Sequence, residues 1–246
     1  MVMRVTLIGA GLLVLALMGS AQAPTYLFGA VSLAPGALES LPGKAQTAGI
    51  PLAIQREDGT LVFRGAKDEG ELLSSSTFLL LDDGFFLLGA RAESGRYFLR
   101  GREDKAELFA LGDVSGLGDF VALIQKLGLL PLETSVELTA GEIPLKLPAP
   151  PKGLKLDPVL YGLLLSPDWI GFCRDYGLER VGLRVLVVAE VRGMLPETYE
   201  PYIRSSSDHL VELLLPIPLL EKLGREDVVS VVRPPYRPHP AVKEGG

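Results

Sequence analysis

The sequence predicts an α+β protein in two parts: an antiparallel β-meander over 22–147, folded as a sandwich or small barrel with one helix, and a smaller α/β module over 154–236. Three observations predict it. Strand-sized apolar runs recur before residue 147 with Asp-Gly turns between them, three prolines crowd 147–155, and beyond them apolar runs alternate with helix-capping signals.

The first element is a secretory leader, 1–21. Arg4 supplies the basic group, 5–18 is uncharged and mostly apolar, and Gly19, Ser20, Ala21, Gln22 and Ala23 offer small-x-small cuts. Cleavage after Ala21 is preferred, because cleavage after Ala23 would set Pro24 beside the scissile bond. A membrane span needs about 20 apolar residues, so an uncleaved anchor is the lesser reading and no stable span is expected after cleavage. No cysteine lies near the cut to carry a lipid. The expected address is outside the cytoplasm: periplasmic, envelope-associated or secreted. Within the same stretch Gly9-x-Gly11 imitates a dinucleotide fingerprint, but Val14 holds the third glycine position and no helix pattern or ribose-binding acid follows.

The chain has 24 basic and 30 acidic residues; loss of Arg4 with the leader leaves a mature net charge of −7. That balance, with no basic stripe, argues against nucleic acid and anionic membranes as partners. One cysteine, Cys173, rules out an internal disulfide framework, so the core must supply the stability.

In the meander, 52–56 and 60–64 flank Asp58-Gly59, and 78–81 and 85–88 flank Asp83-Gly84. Asp-Gly is a hairpin signal because a type I′ turn needs positive φ at both central residues. A third hairpin is expected from 96–100 and 106–111, and a fourth from 135–138 and 142–147 around Gly141. The runs FLLL and FFLL lack polar alternation, as strands buried on both faces do. Asp119 reads as the N-cap of a helix whose apolar stripe is Phe120, Val121, Leu123, Ile124 and Leu127, stopped by Gly128. A proline-rich linker, 148–153, holds the chain extended. Ser166-Pro167-Asp168 then reads as cap, first-turn proline and first-turn acid of a helix ending at Gly177. Strands at 183–191 and 209–215, a short helix opened by Pro218 and ended by Gly224, a strand at 228–233 and an extended tail, 237–246, complete the order.

The segment LVELLLPIPLLEKLGREDVVSVVRPP, 210–235, runs from a strand into a helix with a Leu-x-x-Leu pair, Leu220 and Leu223, then into V-x-x-V, Val229 and Val232, and Pro234. In this it resembles the ferredoxin-like propeptide or inhibitor module found ahead of subtilisin-like proteases and in other secreted bacterial proteins. The resemblance covers 157–236 and implies a split βαβ fold, whose first strand is not evident unless 160–165 supplies it. It implies a stand-alone inhibitor or chaperone, with a secreted protease or another envelope protein as partner, since no protease domain follows before Gly246.

The chemistry-bearing residues form no recognisable constellation. Of the two histidines, His239 lies in the proline-rich tail, and in Ser207-Asp208-His209 adjacent strand residues would face opposite ways. Ser74-Ser75-Ser76 reads as a polar turn, and Cys173, beside Trp169 and Tyr176 on one helix face, as a buried thiol. Asp113 and Asp119 in the loop GDVSGLGD carry oxygen ligands of the type calcium takes, but without EF-hand spacing. Glu57-Asp58 and Asp82-Asp83 read as turn acids. The Pro-x-x-Pro spacing at Pro235 and Pro238 reads as an extended tail rather than a docking motif. No catalytic, cofactor-binding or metal residue is therefore assigned. The leading reading is a non-enzymatic binding protein. The competing one is a hydrolase whose carboxylates, among Asp82, Asp113, Asp168 and Glu190, converge only in three dimensions.

Overall fold

The computed structural model describes residues 2–6, 25–131, 135–143 and 146–236. Val2–Thr6, inside the segment read as leader, form β1; the rest of that segment, the tail 237–246 and His239 lie outside the described residues.

The first part is an open nine-stranded sheet, β1-β9-β2-β8-β7-β6-β5-β3-β4, and neither a sandwich nor a closed barrel. Its strands are β2 (Thr25–Ser32), β3 (Leu52–Gln55), β4 (Leu61–Arg64), β5 (Thr77–Asp82), β6 (Phe85–Arg91), β7 (Gly95–Arg102), β8 (Lys105–Gly112) and β9 (Ser135–Glu142). Neighbours are antiparallel except β3 and β5, which run parallel. The sheet stays open because other layers cover both of its faces. Leu79, Phe86 and Leu88 face helices on one side, while Phe78, Leu80, Phe85 and Leu87 face the second part of the chain on the other. That double burial is what the unalternating runs require.

Three helices join this sheet where the sequence suggested one: α1 (Ala37–Thr47), α2 (Glu69–Ser74) and α3 (Leu117–Lys126). Pro42 and Gly43 disguise α1, yet Leu41 and Ala45 are fully buried against the sheet, and that burial outweighs the two breakers. Helix α3 starts two residues earlier than Asp119, at a Gly116 cap whose N–H donates to Tyr97 Oη (3.1 Å), so Asp119 sits in the first turn.

Three of the four expected hairpins form. Asp83 and Gly84 both take positive φ (30° and 77°), as a type I′ turn requires. At Asp58-Gly59 only the glycine does, and the Asp58 carboxylate instead accepts from Thr60 N–H (2.8 Å). The fourth is absent: β9 runs straight through Gly141, which lies under the Tyr26 ring of β2, so close that a Cβ would sit 2.5 Å from it. The glycine marks close packing of an aromatic ring rather than a turn.

The second part holds α4 (Pro158–Leu165), α5 (Trp169–Asp175), β10 (Arg180–Val181), β11 (Arg184–Val191), a 3-10 helix (Glu197–Tyr202), β12 (Ile203–Ser206), β13 (Leu210–Pro216), a 3-10 turn (Ile217–Leu219), α6 (Leu220–Arg225) and β14 (Val229–Arg233). The segment 160–165 is helical and not the first strand. That place belongs to β11, flanked by β13 and β14, with β12 outside β13 and every pair antiparallel. This is the strand order of a split βαβ unit whose first crossover has shrunk to one 3-10 helix. Val185, Val187 and Ala189 point into its core with Leu160, Leu163 and Leu220. Leu154 and Leu156 enter the same core, so the proline stretch ends where the second core begins.

The two parts are joined by a buried ion pair. Arg184 Nε and Nη2 donate to both oxygens of Asp82 (2.9 and 2.7 Å), Nη1 donates to Glu57 O (3.1 Å), and the two side chains are 3% and 0% exposed. Asp82 is thus not a turn acid. Around it, Gln55 Oε1 accepts from Leu183 N–H (3.3 Å) and Glu69 pairs with Arg180 (2.6 Å). Removing one member of such a pair strands a buried charge, whereas replacing both with apolar residues does not. Arg184→Met is expected to lose about 3–5 kcal/mol in urea unfolding, and the double variant Asp82→Leu/Arg184→Met to return to within about 1–2 kcal/mol of the parent.

Candidate functional site

The seam between the parts is organised by β7. Along RYFLRGR, Arg96, Phe98 and Arg100 point to the second part, while Tyr97 and Leu99 point to the helices. Both arginines grip the corner between α4 and α5. Arg100 Nη1 donates to Ser166 O (2.7 Å) and its Nε to Glu107 (3.2 Å). Its guanidinium is sandwiched between the Phe109 ring (4.4 Å) and the Trp169 indole (4.1 Å). Burial pulls the Arg100 pKa down to about 10, against the pull of Glu107, so it remains a cation at neutral pH. Arg96 pairs with Asp168. Asp168 is the N-cap of α5, accepting from Gly171 N–H (2.8 Å), and so displaces Ser166 from the cap role the sequence suggested.

Cavities open on either side of this corner. One cleft, of about 440 Å³, lies between the ends of β2 and β8, residues 142–143 and 146–148, the end of α4 and helix α5. Tyr26, Leu111, Ile143, Leu165, Phe172 and Tyr176 form its apolar wall. The Phe172 and Tyr176 rings stack 4.3 Å apart, and Ile143, Leu165 and Tyr176 remain 36%, 48% and 49% exposed. Glu142, Lys146 and Asp175 mark the rim. The second cavity, of about 760 Å³, lies under the β7–β8 hairpin against Trp169, Leu164 and Pro218. The Trp169 indole N–H is itself closed off from solvent and has no acceptor among the described residues, at a cost of about 1–3 kcal/mol for such a donor. A third hollow, of about 620 Å³, is polar and sits over the Arg184 pair beside Asp58, Asp83 and Tyr202.

The residues singled out from sequence do not assemble. Asp82 is locked to Arg184, and Glu190 pairs with Arg233 (3.3 Å). Asp113 accepts from Ser115 N–H (2.9 Å) and Ser94 Oγ (3.0 Å), bonds that hold its carboxyl below the usual range. Asp168 alone of these four lines a seam cavity. Ser207-Asp208-His209 is the exposed turn between β12 and β13 rather than a piece of strand. Ser74 and Ser75 donate back to Glu71 O at the end of α2, as a polar turn does. Among the described residues no group of three His, Cys, Asp or Glu side chains is placed to hold a metal ion, and no helix is long and apolar enough to cross a membrane.

The arginines that build the seam, Arg96, Arg100 and Arg184, were missed. Their signal was charge at strand positions where the period demands an apolar side chain, which marks a buried partner elsewhere in the chain. Fold and site together define an α+β protein with ligand-sized cavities between its large sheet and the helices of its second part. Comparison with protein-family models, curated proteins and solved structures returns no match, so the geometry carries the functional argument.

Cys173 is 1% exposed, and burial pushes its thiol pKa up to about 12. With an unfolded thiol near 8.5, its thiolate fraction at pH 8 falls roughly a thousandfold on folding. Ellman's reagent at pH 8 is expected to label Cys173 in urea within seconds and in the native protein at least about a thousandfold more slowly.

Proposed function

We propose that the protein is an exported, non-enzymatic binding protein whose recognition site is the 440 Å³ cleft at the seam, and that its occupant is an extended apolar segment of a partner protein outside the cytoplasm. The observation that carries this reading is the wall of Ile143, Leu165 and Tyr176, three large apolar side chains left 36–49% exposed side by side. Stacked aromatic rings and aliphatic side chains give such a segment apolar contact area. The rim carries both signs, Lys146 against Glu142 and Asp175, which disfavours a strongly charged partner. The leader 1–21 and the acidic mature chain support the address.

A second reading, a stand-alone inhibitor or chaperone of a secreted subtilisin-like protease, is favoured by the strand order around β11, which supplies the first strand of the module the sequence resembles. The outer face of that sheet keeps Leu186 and Val188 half-buried and Leu210 exposed.

Calorimetric titration of the mature chain with extended peptides of alternating Leu, Val and Phe, flanked by one charge of each sign, tests the first reading. Binding at about micromolar Kd is expected, weakened roughly tenfold or more by Tyr176→Ala and by Leu165→Ser without a change in Tm. Turnover on esterase, glycosidase or protease panels that a single point mutation abolishes would overturn it. For the second reading, the full protein is expected to inhibit a secreted subtilisin-like protease at about micromolar concentration or below, and no inhibition there removes it.

A further inference from the structure

The two edges of the large sheet are protected in different ways. Strand β4 is four residues long and lies against the second part, where a Cβ at Gly182 would stand 2.9 Å from the Leu61 side chain. At the opposite end β9 is eight residues long, contains no proline or lysine, and pairs with β2 and β1 without a bulge. Its outer side is covered by β1, Val2–Thr6, which runs antiparallel to it from Val2 opposite Thr139 to Thr6 opposite Ser135. Those five residues lie within the segment read as a leader and cut after Ala21. Their removal makes β9 the edge strand and bares a row of its backbone N–H and C=O groups. A long edge without bulge, proline or lysine is a template for another strand.

On the reading of 1–21 as a cleaved leader, we propose that the β9 edge of the mature chain is a strand-acceptor site, filled by an extended segment of a partner protein that adds antiparallel to Ser135–Glu142 in the place β1 holds. This acceptor is separate from the cleft. Two positions define the segment. Opposed residues of an antiparallel pair share a face, and Leu138 is buried in the helix-side core, so the residue set opposite it is apolar. Glu137 lies on the other face and is exposed, so the next residue of the segment is basic, as the register sets Arg4 across from Glu137. A second copy of β9 fits less well, because SVELTAGE brings two glutamates and no basic residue. The main-chain ladder supplies the affinity, and the apolar and basic positions supply the selection.

The probe is a fluorescein-labelled peptide of residues 1–8, MVMRVTLI, followed by anisotropy. It is titrated into the full chain, into the full chain carrying Met3→Pro and Val5→Pro, which cannot keep β1 paired, and into the mature chain recovered after export. Both opened forms are expected to bind at a Kd of about 10–100 μM, and the parent full chain roughly tenfold or more weakly, because its own β1 competes from within the molecule. Arg4→Glu in the peptide should weaken binding about fivefold. An added strand uses every second N–H, so of two peptides, one N-methylated at Met3 and Val5 and the other at Arg4 and Thr6, one loses binding and the other keeps it within about twofold. Tyr176→Ala leaves the peptide's affinity unchanged, which separates failure of this edge from failure of the cleft. Retention of 1–21 by the exported protein, no saturable binding by either opened form, equal sensitivity to the two methylation patterns, or dimers of the opened chain through β9 in place of peptide binding would each overturn the proposal.

Discussion

The Asp82–Arg184 pair is the constraint on which the arrangement of this protein depends. Both groups are removed from water, and neither tolerates that without the other. Asp82 is the last residue of β5, immediately before a turn whose two central residues take positive φ, so the turn fixes where its carboxylate stands. Arg184 is the first residue of β11, the strand on which the second sheet is built. One bidentate contact therefore ties the tip of a hairpin in one sheet to the central strand of the other, setting the position and the rotation of the two parts together. The 148–153 stretch, which composition alone would make a hinge, connects two bodies already clamped.

Once that contact is set, the seam follows. Leu183, next to Arg184, packs into the face of the large sheet with Phe78, Phe85 and Phe98. About 13 Å of β7 separates Arg96 from Arg100 at about 3.3 Å per residue, and this spacing lets the two arginines hold the α4–α5 corner at two points. The cleft and the cavity are the spaces left on either side of the gripped corner. A protein whose two parts swung freely would have no such spaces, because their walls come from the large sheet and from the helices of the second part.

Most of the local structure was legible in the sequence, and the part that joins distant segments was not. Asp83-Gly84 announced its hairpin because its turn is a local matter of φ. FLLL and FFLL announced double burial because period and composition are local too. The first strand of the second sheet could be sought at 160–165, which is helix α4, because an apolar run of that length is ambiguous between helix and strand until its partner is known. Helix α1 hid behind Pro42, the cap at Asp168 behind Ser166, and Gly141 imitated a turn that its neighbour Tyr26 explains otherwise. Asp82 was read as a turn acid for the same reason: its partner lies 102 residues away in the chain.

The same distribution of charge bears on function. Acid–base chemistry needs an ionisable group within reach of substrate and free to exchange a proton. Here Asp82, Glu107, Asp168 and Glu190 each face an arginine: the Asp82 and Asp168 pairs cross between the two parts, and the Glu107 and Glu190 pairs tie neighbouring strands within one sheet. Among the described residues, the seam leaves Ile143, Leu165 and Tyr176 partly exposed around the cleft. Partly exposed apolar area gains free energy from being covered. In the proposed reading such a wall holds an apolar segment, with discrimination set by the shape of the wall.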